Sequence, residues 1–185
     1  MNIFVLDENP SVAAQMHCDK HIAKMVVESA QMLSTAHRML DGNETKRPSK
    51  SGKRMVKYWK HPDNNMEQTL YKAVHMNHPC TVWTRESRCN YVWHYELFCE
   101  LAKEYTYRYG KQHKSFQQLE YILAQSPNNI PDVGQTPYRL AMGDQPQCID
   151  VTNPVDSYRH FYMTKQDRFK MVWTGRKQPN WFKYK

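Results

Sequence analysis

The stretch MHCDKHIAKMVVES (Met16–Ser29) sets His17, His21, Lys20, Lys24, Asp19 and Glu28 close together in a run that otherwise wants to be buried. On a helix, residues three and four apart stack on one face. His17, His21, Lys24, Glu28, Gln31 and Thr35 follow that spacing, so a helix here gathers them into one polar stripe, with Lys20 beside it and Asp19 nearer its edge. A lysine among other cations is a candidate nucleophile, with Glu28 as its acid or base partner; Lys20 and Lys24 are the choices on this helix. Alternatively the cations hold phosphates, and spacing does not separate the two, nor either from a face that only meets water. The i,i+4 histidines would suit a metal, but no acidic third ligand follows at a familiar spacing, so neither metal nor other cofactor is expected.

The rest of the chain favours a polyanionic partner. Lys and Arg number 26 against 18 Asp and Glu, a formal charge of +8, and 12% of residues are aromatic. Nucleic acid is favoured over a membrane surface because no basic amphipathic segment stands out. The basic run at 43–65 supplies Lys53, Arg54 and Lys57, and the ending KQPNWFKYK interleaves Trp181, Phe182 and Tyr184 with Lys177, Lys183 and Lys185. Such a mixture grips a backbone while stacking on a base, although the same aromatics could dock on the core. In WTRESRCNYVWHYE, Trp83, Ser87, Asn90 and His94 share one helical face; Arg85 and Asn90 are added as binding candidates because buried polar groups must find partners.

These residues need elements to position them. Pro10 between Asn9 and Ser11 starts a helix whose apolar positions recur to Leu40, where Gly42 stops it. A mobile basic loop is expected over 43–65, then a short helix at Met66–Val74, a long one from Cys80 to Gly110, and another at Phe116–Gln125. Residues 126–153 read as an irregular crossing, and a last helix as running from Pro154 to about Trp173 before the tail 174–185. The only strand candidate is Ile3–Leu6. The expected fold is mostly α, a single compact helical domain over 1–185 with long irregular loops. Five cysteines without a Cys-x-x-Cys pair read as reduced core thiols. Lacking a bilayer-length apolar run or signal-like start, the chain is expected to be soluble and cytoplasmic, with no membrane partner and its oligomeric state open.

The order of features has a counterpart. Ala13-Ala14-Gln15 with His17 at the opening of the first helix, the basic run, the long helix before Gly110, and PNWFKYK resemble the phage pyrimidine-dimer DNA glycosylases of the endonuclease V type. The resemblance implies a mostly α repair enzyme of a phage, working in the host cytoplasm, that flips a base out of damaged duplex DNA. It implies an N-terminal amine as nucleophile assisted by a first-helix glutamate. His17 would then touch phosphate or sugar, and Glu28 would stand in for the glutamate, although Lys24 falls nearer its position. Asn2 is bulky where the family exposes a small second residue, so Met1 is expected to stay.

The expectation is therefore a DNA-processing enzyme acting on a damaged or modified base by glycosylase or lyase chemistry. The alternatives are a non-catalytic nucleic-acid-binding protein using the same basic surfaces, and a base-hypermodification transferase on the same fold. The first two share a premise that salt titration checks. Each neutralised phosphate steepens the fall of log affinity with log salt by about 0.9 on duplex DNA. A flat response, or no binding at low salt, removes that premise.

Overall fold

The computed structural model describes residues 1–185. Asn9 accepts the N–H groups of Ser11 and Val12, and Pro10 has no N–H to satisfy, so α1 (Pro10–Met16) begins where expected. It does not run on to Leu40. His17 and Cys18 are extended, and α2 (Asp19–Asp41) starts afresh. The break comes from the other end of the chain: Tyr162 takes the Cys18 N–H at 2.9 Å and the Val172 carbonyl takes that of Asp19 at 2.8 Å. A second break divides the expected long helix into α4 (Pro79–Glu86) and α5 (Arg88–Tyr109) at Ser87. There the Ser87 hydroxyl donates to the Gly134 carbonyl, and the Arg88 N–H to that of Pro131. Gly110, at φ 65°, ends α5 as expected.

The basic stretch 43–65 is not a loop. Its residues form an antiparallel hairpin, β1 (Asn43–Pro48) on β2 (Met55–Lys60), with Glu44 opposite Trp59 and Lys46 opposite Lys57. Arg47 lies on the Tyr58 ring at 3.8 Å and Lys57 pairs with Glu44 at 2.8 Å, so cross-strand contacts offset the repulsion of so many cations. The helix α6 (Lys114–Leu123) falls close to its expected place, whereas α3 (Asn64–Thr69) begins before Met66 and stops well short of Val74, because Leu70 is extended. The last helix, α7 (Pro154–Met163), is shorter than expected and gives way to a 3-10 turn at Thr164–Asp167. Residues 126–153 are irregular apart from a 3-10 turn at Pro146–Cys148. Ile3–Leu6 is buried, but it forms no strand and pairs with none.

The architecture is mostly α, as the periodicity indicated. α2 packs on α4, α5 and α6 and α1 on α5, closing a core that includes Trp83, Tyr91, Phe98, Met25, Leu33, Tyr158 and Tyr162. Cys18, Cys80 and Cys148 are buried, Cys99 is half-buried and Cys89 exposed, and none forms a disulfide. No helix is long and apolar enough to cross a membrane.

One buried cation ties the hairpin to the helices. Arg38 of α2 is 1% exposed and donates to Glu67 Oε2 at 2.7 Å, to the carbonyls of Trp59, Glu67, Leu70 and Tyr71, and to the Tyr58 hydroxyl. Arg38→Met leaves those acceptors unpaired and is expected to cost about 3–5 kcal/mol in urea unfolding.

Burial also keeps several histidines neutral, lowering His17 to about 4 and His21 and His94 to about 3 from 6.5. The unfolded chain protonates these rings near 6.5 while the folded chain resists. Their contribution is thus complete above that pH and is lost as pH falls from about 6.5 towards 4, by up to about 1.4 kcal/mol per pH unit for each ring. Urea midpoints measured across that window should fall together with pH, and a flat profile would contradict the buried neutral assignment.

Candidate active site

The site begins with the first residues of the chain. Asn2 to Leu6 are each 5% exposed or less, so their backbone groups need partners inside the protein. Glu28 Oε2 takes the Asn2 N–H at 3.0 Å, Asn2 Oδ1 takes the Phe4 N–H at 2.9 Å, and Asn2 Nδ2 donates to the Ala141 carbonyl at 2.8 Å. This clamp brings the Met1 nitrogen to 3.7 Å from Glu28 Oε1, and Lys24, one turn before Glu28 on α2, places its amine 3.3 Å from the same oxygen. Two amines therefore share one carboxylate whose side chain is only 12% exposed.

These groups line a cleft of about 690 Å³. Phe4, Phe161 and Phe169 supply its aromatic surface; His21, His78 and the stretch around Ala141, Gly143 and Asp144 contribute the rest, with Lys165 and Arg168 from the turn after α7. Phe4 holds φ at 43°, a left-handed conformation that costs a non-glycine residue energy. Its ring stacks on His21 at 5.0 Å and on Phe161 at 5.9 Å. The Lys165 ammonium lies 3.4 Å from the centroid of Phe161, and burial lowers its pKa against the opposing pull of Asp144, with Arg168 and Lys24 adding to the lowering. Burial likewise lowers His78, reinforced by the Met1 amine and His75, while its Nδ1 accepts the Cys80 N–H at the start of α4.

Of the residues singled out from the sequence, Met1, His21, Lys24 and Glu28 meet here. His17 does not. It lies outside α2, fully buried, with Nδ1 on the Ala13 carbonyl at 2.7 Å and its ring edge against Phe4 and Tyr162, so it offers no surface to a phosphate. Lys20 stands outside the lining with its amine 4.8 Å from the Phe169 ring. Arg85 spends its guanidinium on the carbonyls of Met76 and Thr81. Asn90 is fully buried and binds the Trp83 carbonyl and both the N–H and hydroxyl of Thr136, fastening the irregular crossing to α5.

Lys53 and Arg54 are exposed at the hairpin turn, Lys57 beside Glu44, and Lys183 in the tail. Trp181 is half-buried, its indole N–H on the Met16 sulfur and its ring edge against Tyr162, so it docks on the core. Compared with family models, with curated proteins and with solved structures, the chain matches none.

The sequence reading missed Phe4, Phe161, Phe169, Lys165 and Arg168. Lys165, Arg168 and Phe169 stand three and four apart in FYMTKQDRFK, the same i,i+3,i+4 signal used for the first helix. Lys165→Met keeps the length and removes the desolvated charge, so its thermal midpoint should rise by about 2–4 °C. A lower midpoint would make Lys165 a structural residue.

Proposed function

We propose that the cleft takes an extruded nucleotide of damaged or modified duplex DNA and attacks its sugar with an amine held by Glu28, in glycosylase or lyase chemistry. The observation that carries this reading is the pairing of two amines with one partly buried carboxylate on the wall of an aromatic, cationic cleft. Aromatic rings suit a flipped base, and Lys165 and Arg168 suit its phosphate. The Met1 side chain is 3% exposed beside the carboxylate and that of Lys24 58%, which favours the Met1 amine as the group held inside the cleft.

In this reaction the amine adds to C1′ as the glycosidic bond breaks, and the departing base anion takes its proton from solvent water. The sugar ring opens, and a Schiff base joins nitrogen and C1′. Glu28 accepts the proton that the amine gives up and can return it to the ring oxygen. Loss of a 2′ proton then expels the 3′ phosphate, and water frees the amine. The exposed basic hairpin is assigned to the flanking phosphates, where it has no other charge partner beyond Glu44.

Sodium borohydride reduces a Schiff base to a stable bond, so it should trap the protein on DNA carrying an abasic site or a susceptible base. Peptide mapping of the trapped species identifies the nitrogen: loss of trapping on Lys24→Met assigns Lys24, and loss on selective modification of the Met1 amine assigns that group. Glu28→Gln should slow trapping by about 10²–10⁴-fold without removing the nucleophile. Tight binding with no trapping on any substrate would sink the reaction and leave a binding protein or a transferase.

A further inference from the structure

About 20 Å along α2 from the cleft, a second group of side chains converges. His37 and Asp41 stand one turn apart at the end of α2, and His61 follows β2 directly; one ligand atom from each lies within 4.8 Å of the other two. Two nitrogens of this group, His37 Nδ1 and His61 Nε2, are buried without a hydrogen-bond partner, on rings 2% and 5% exposed. A buried polar atom left alone costs about 1–3 kcal/mol, so two of them beside a carboxylate point to an absent binding partner.

The hydrogen bonds around the group show which lone pairs are free. The Tyr91 hydroxyl donates to the Leu123 carbonyl at 3.0 Å, so it accepts from His37 Nε2 at 2.8 Å. His37 thus carries its proton on Nε2 and keeps the Nδ1 lone pair. Metal-binding histidines are oriented in this way, one nitrogen on the metal and the other held by a hydrogen bond. Asp41 is oriented as well: Asn128 N–H reaches its Oδ2 at 2.8 Å and Asn129 N–H its Oδ1 at 2.9 Å, leaving Oδ2 room for a cation.

We propose that His37, Asp41 and His61 bind one first-row divalent transition-metal ion, zinc foremost, which pins the basic hairpin to the end of α2. Two imidazoles and a carboxylate suit zinc and its neighbours, whereas calcium and magnesium want oxygen donors throughout. The group borders an opening of about 370 Å³ beside Asp63, Gln125 and Asn128, which gives the ion an entry and a water its fourth position. Tetrahedral ligation at about 2.1 Å sets donors about 3.4 Å apart, so the widest pair closes by no more than about 1.4 Å from the 4.8 Å limit. His61 must also change tautomer. Its Nδ1 now accepts the Asp63 N–H at 3.2 Å; on loading, the proton moves from Nε2 to Nδ1, that contact opens, and Nε2 meets the metal with no net proton released.

Metal-stripped protein titrated with Zn²⁺ by calorimetry, and with Co²⁺ followed by visible absorption, tests the site. One ion per chain is expected, with a four-coordinate cobalt spectrum that lacks the thiolate charge-transfer band a cysteine ligand would give. His61→Ala should abolish both signals, and Tyr91→Phe, which only releases the orientation of His37, should weaken binding by about 10-fold. Should His61→Ala fail to fold, nitrogen NMR of the unaltered chain decides instead: zinc must shift His37 Nδ1 and His61 Nε2 and leave His37 Nε2 on its hydrogen bond. No uptake by the unaltered chain, unchanged binding in a folded His61→Ala variant, or no shift at those two nitrogens would overturn the proposal in favour of a direct His61 to His37 hydrogen bond.

Discussion

Burying a segment of chain that has no partner strand constrains everything around it. Asn2 to Leu6 run through the interior unpaired by any sheet, so side chains must do what a neighbouring strand would. Glu28 answers Asn2, Asn2 answers Phe4, and Arg159 donates to the Leu6 carbonyl at 2.9 Å. Because the Asn2 N–H occupies Glu28 Oε2, the other oxygen is left for amines, and both Met1 and Lys24 reach it. The feature that stabilises the first residues is thus the same feature that collects the two amines. A carboxylate in an ordinary solvated stripe would be free to turn outward; this one is not.

The cleft carries costs that a purely structural pocket would avoid. Phe4 holds a backbone conformation unfavourable for its type, and Lys165 surrenders hydration against Phe161. Strain and a desolvated charge found together mark a candidate site, and here both border the paired amines. By contrast, the buried network of Arg108 with Glu104 and Asp19 is closed: its carboxylates are also met by Arg176 and Thr174, and no free group points to a ligand. The difference between a satisfied network and an unsatisfied cleft separates structural charges from candidate functional ones.

The sequence showed the helices and part of the site because both follow a local period. His21, Lys24 and Glu28 stay within one helix, so spacing alone placed them on one face. His17 obeyed the same spacing and failed, because Tyr162 and Val172 claim the N–H groups that would have continued α1 into α2. Ser87 broke the central helix for the same kind of reason, through carbonyls from the irregular crossing. The hairpin escaped notice because lysines obscured the alternation of Val56, Tyr58 and their neighbours, and Arg38, which anchors it, lies far away in the chain. Lys165 and Arg168 come from the opposite end of the sequence, where only tertiary packing brings them to α2. What local periodicity encodes was legible; what long-range hydrogen bonds decide was not.

The long helix α2 joins the two ends of the molecule as one rigid element. Its first half carries His21, Lys24 and Glu28, and its last turns carry Arg38, His37 and Asp41. Arg38 bonds to residues on both sides of His61, Trp59 before it and Glu67 after it, and Glu67 itself takes the His61 N–H at 2.8 Å. The base of the basic hairpin is therefore fixed to the helix that bears the paired amines. On the proposed reading, a duplex held by the hairpin is held at a set distance from the cleft, and the span between phosphate grip and amine is the length of α2 itself. A flexible basic loop would add affinity without register; a hairpin anchored through a buried guanidinium converts the same charges into a positional constraint, which nucleotide extrusion at one defined place requires.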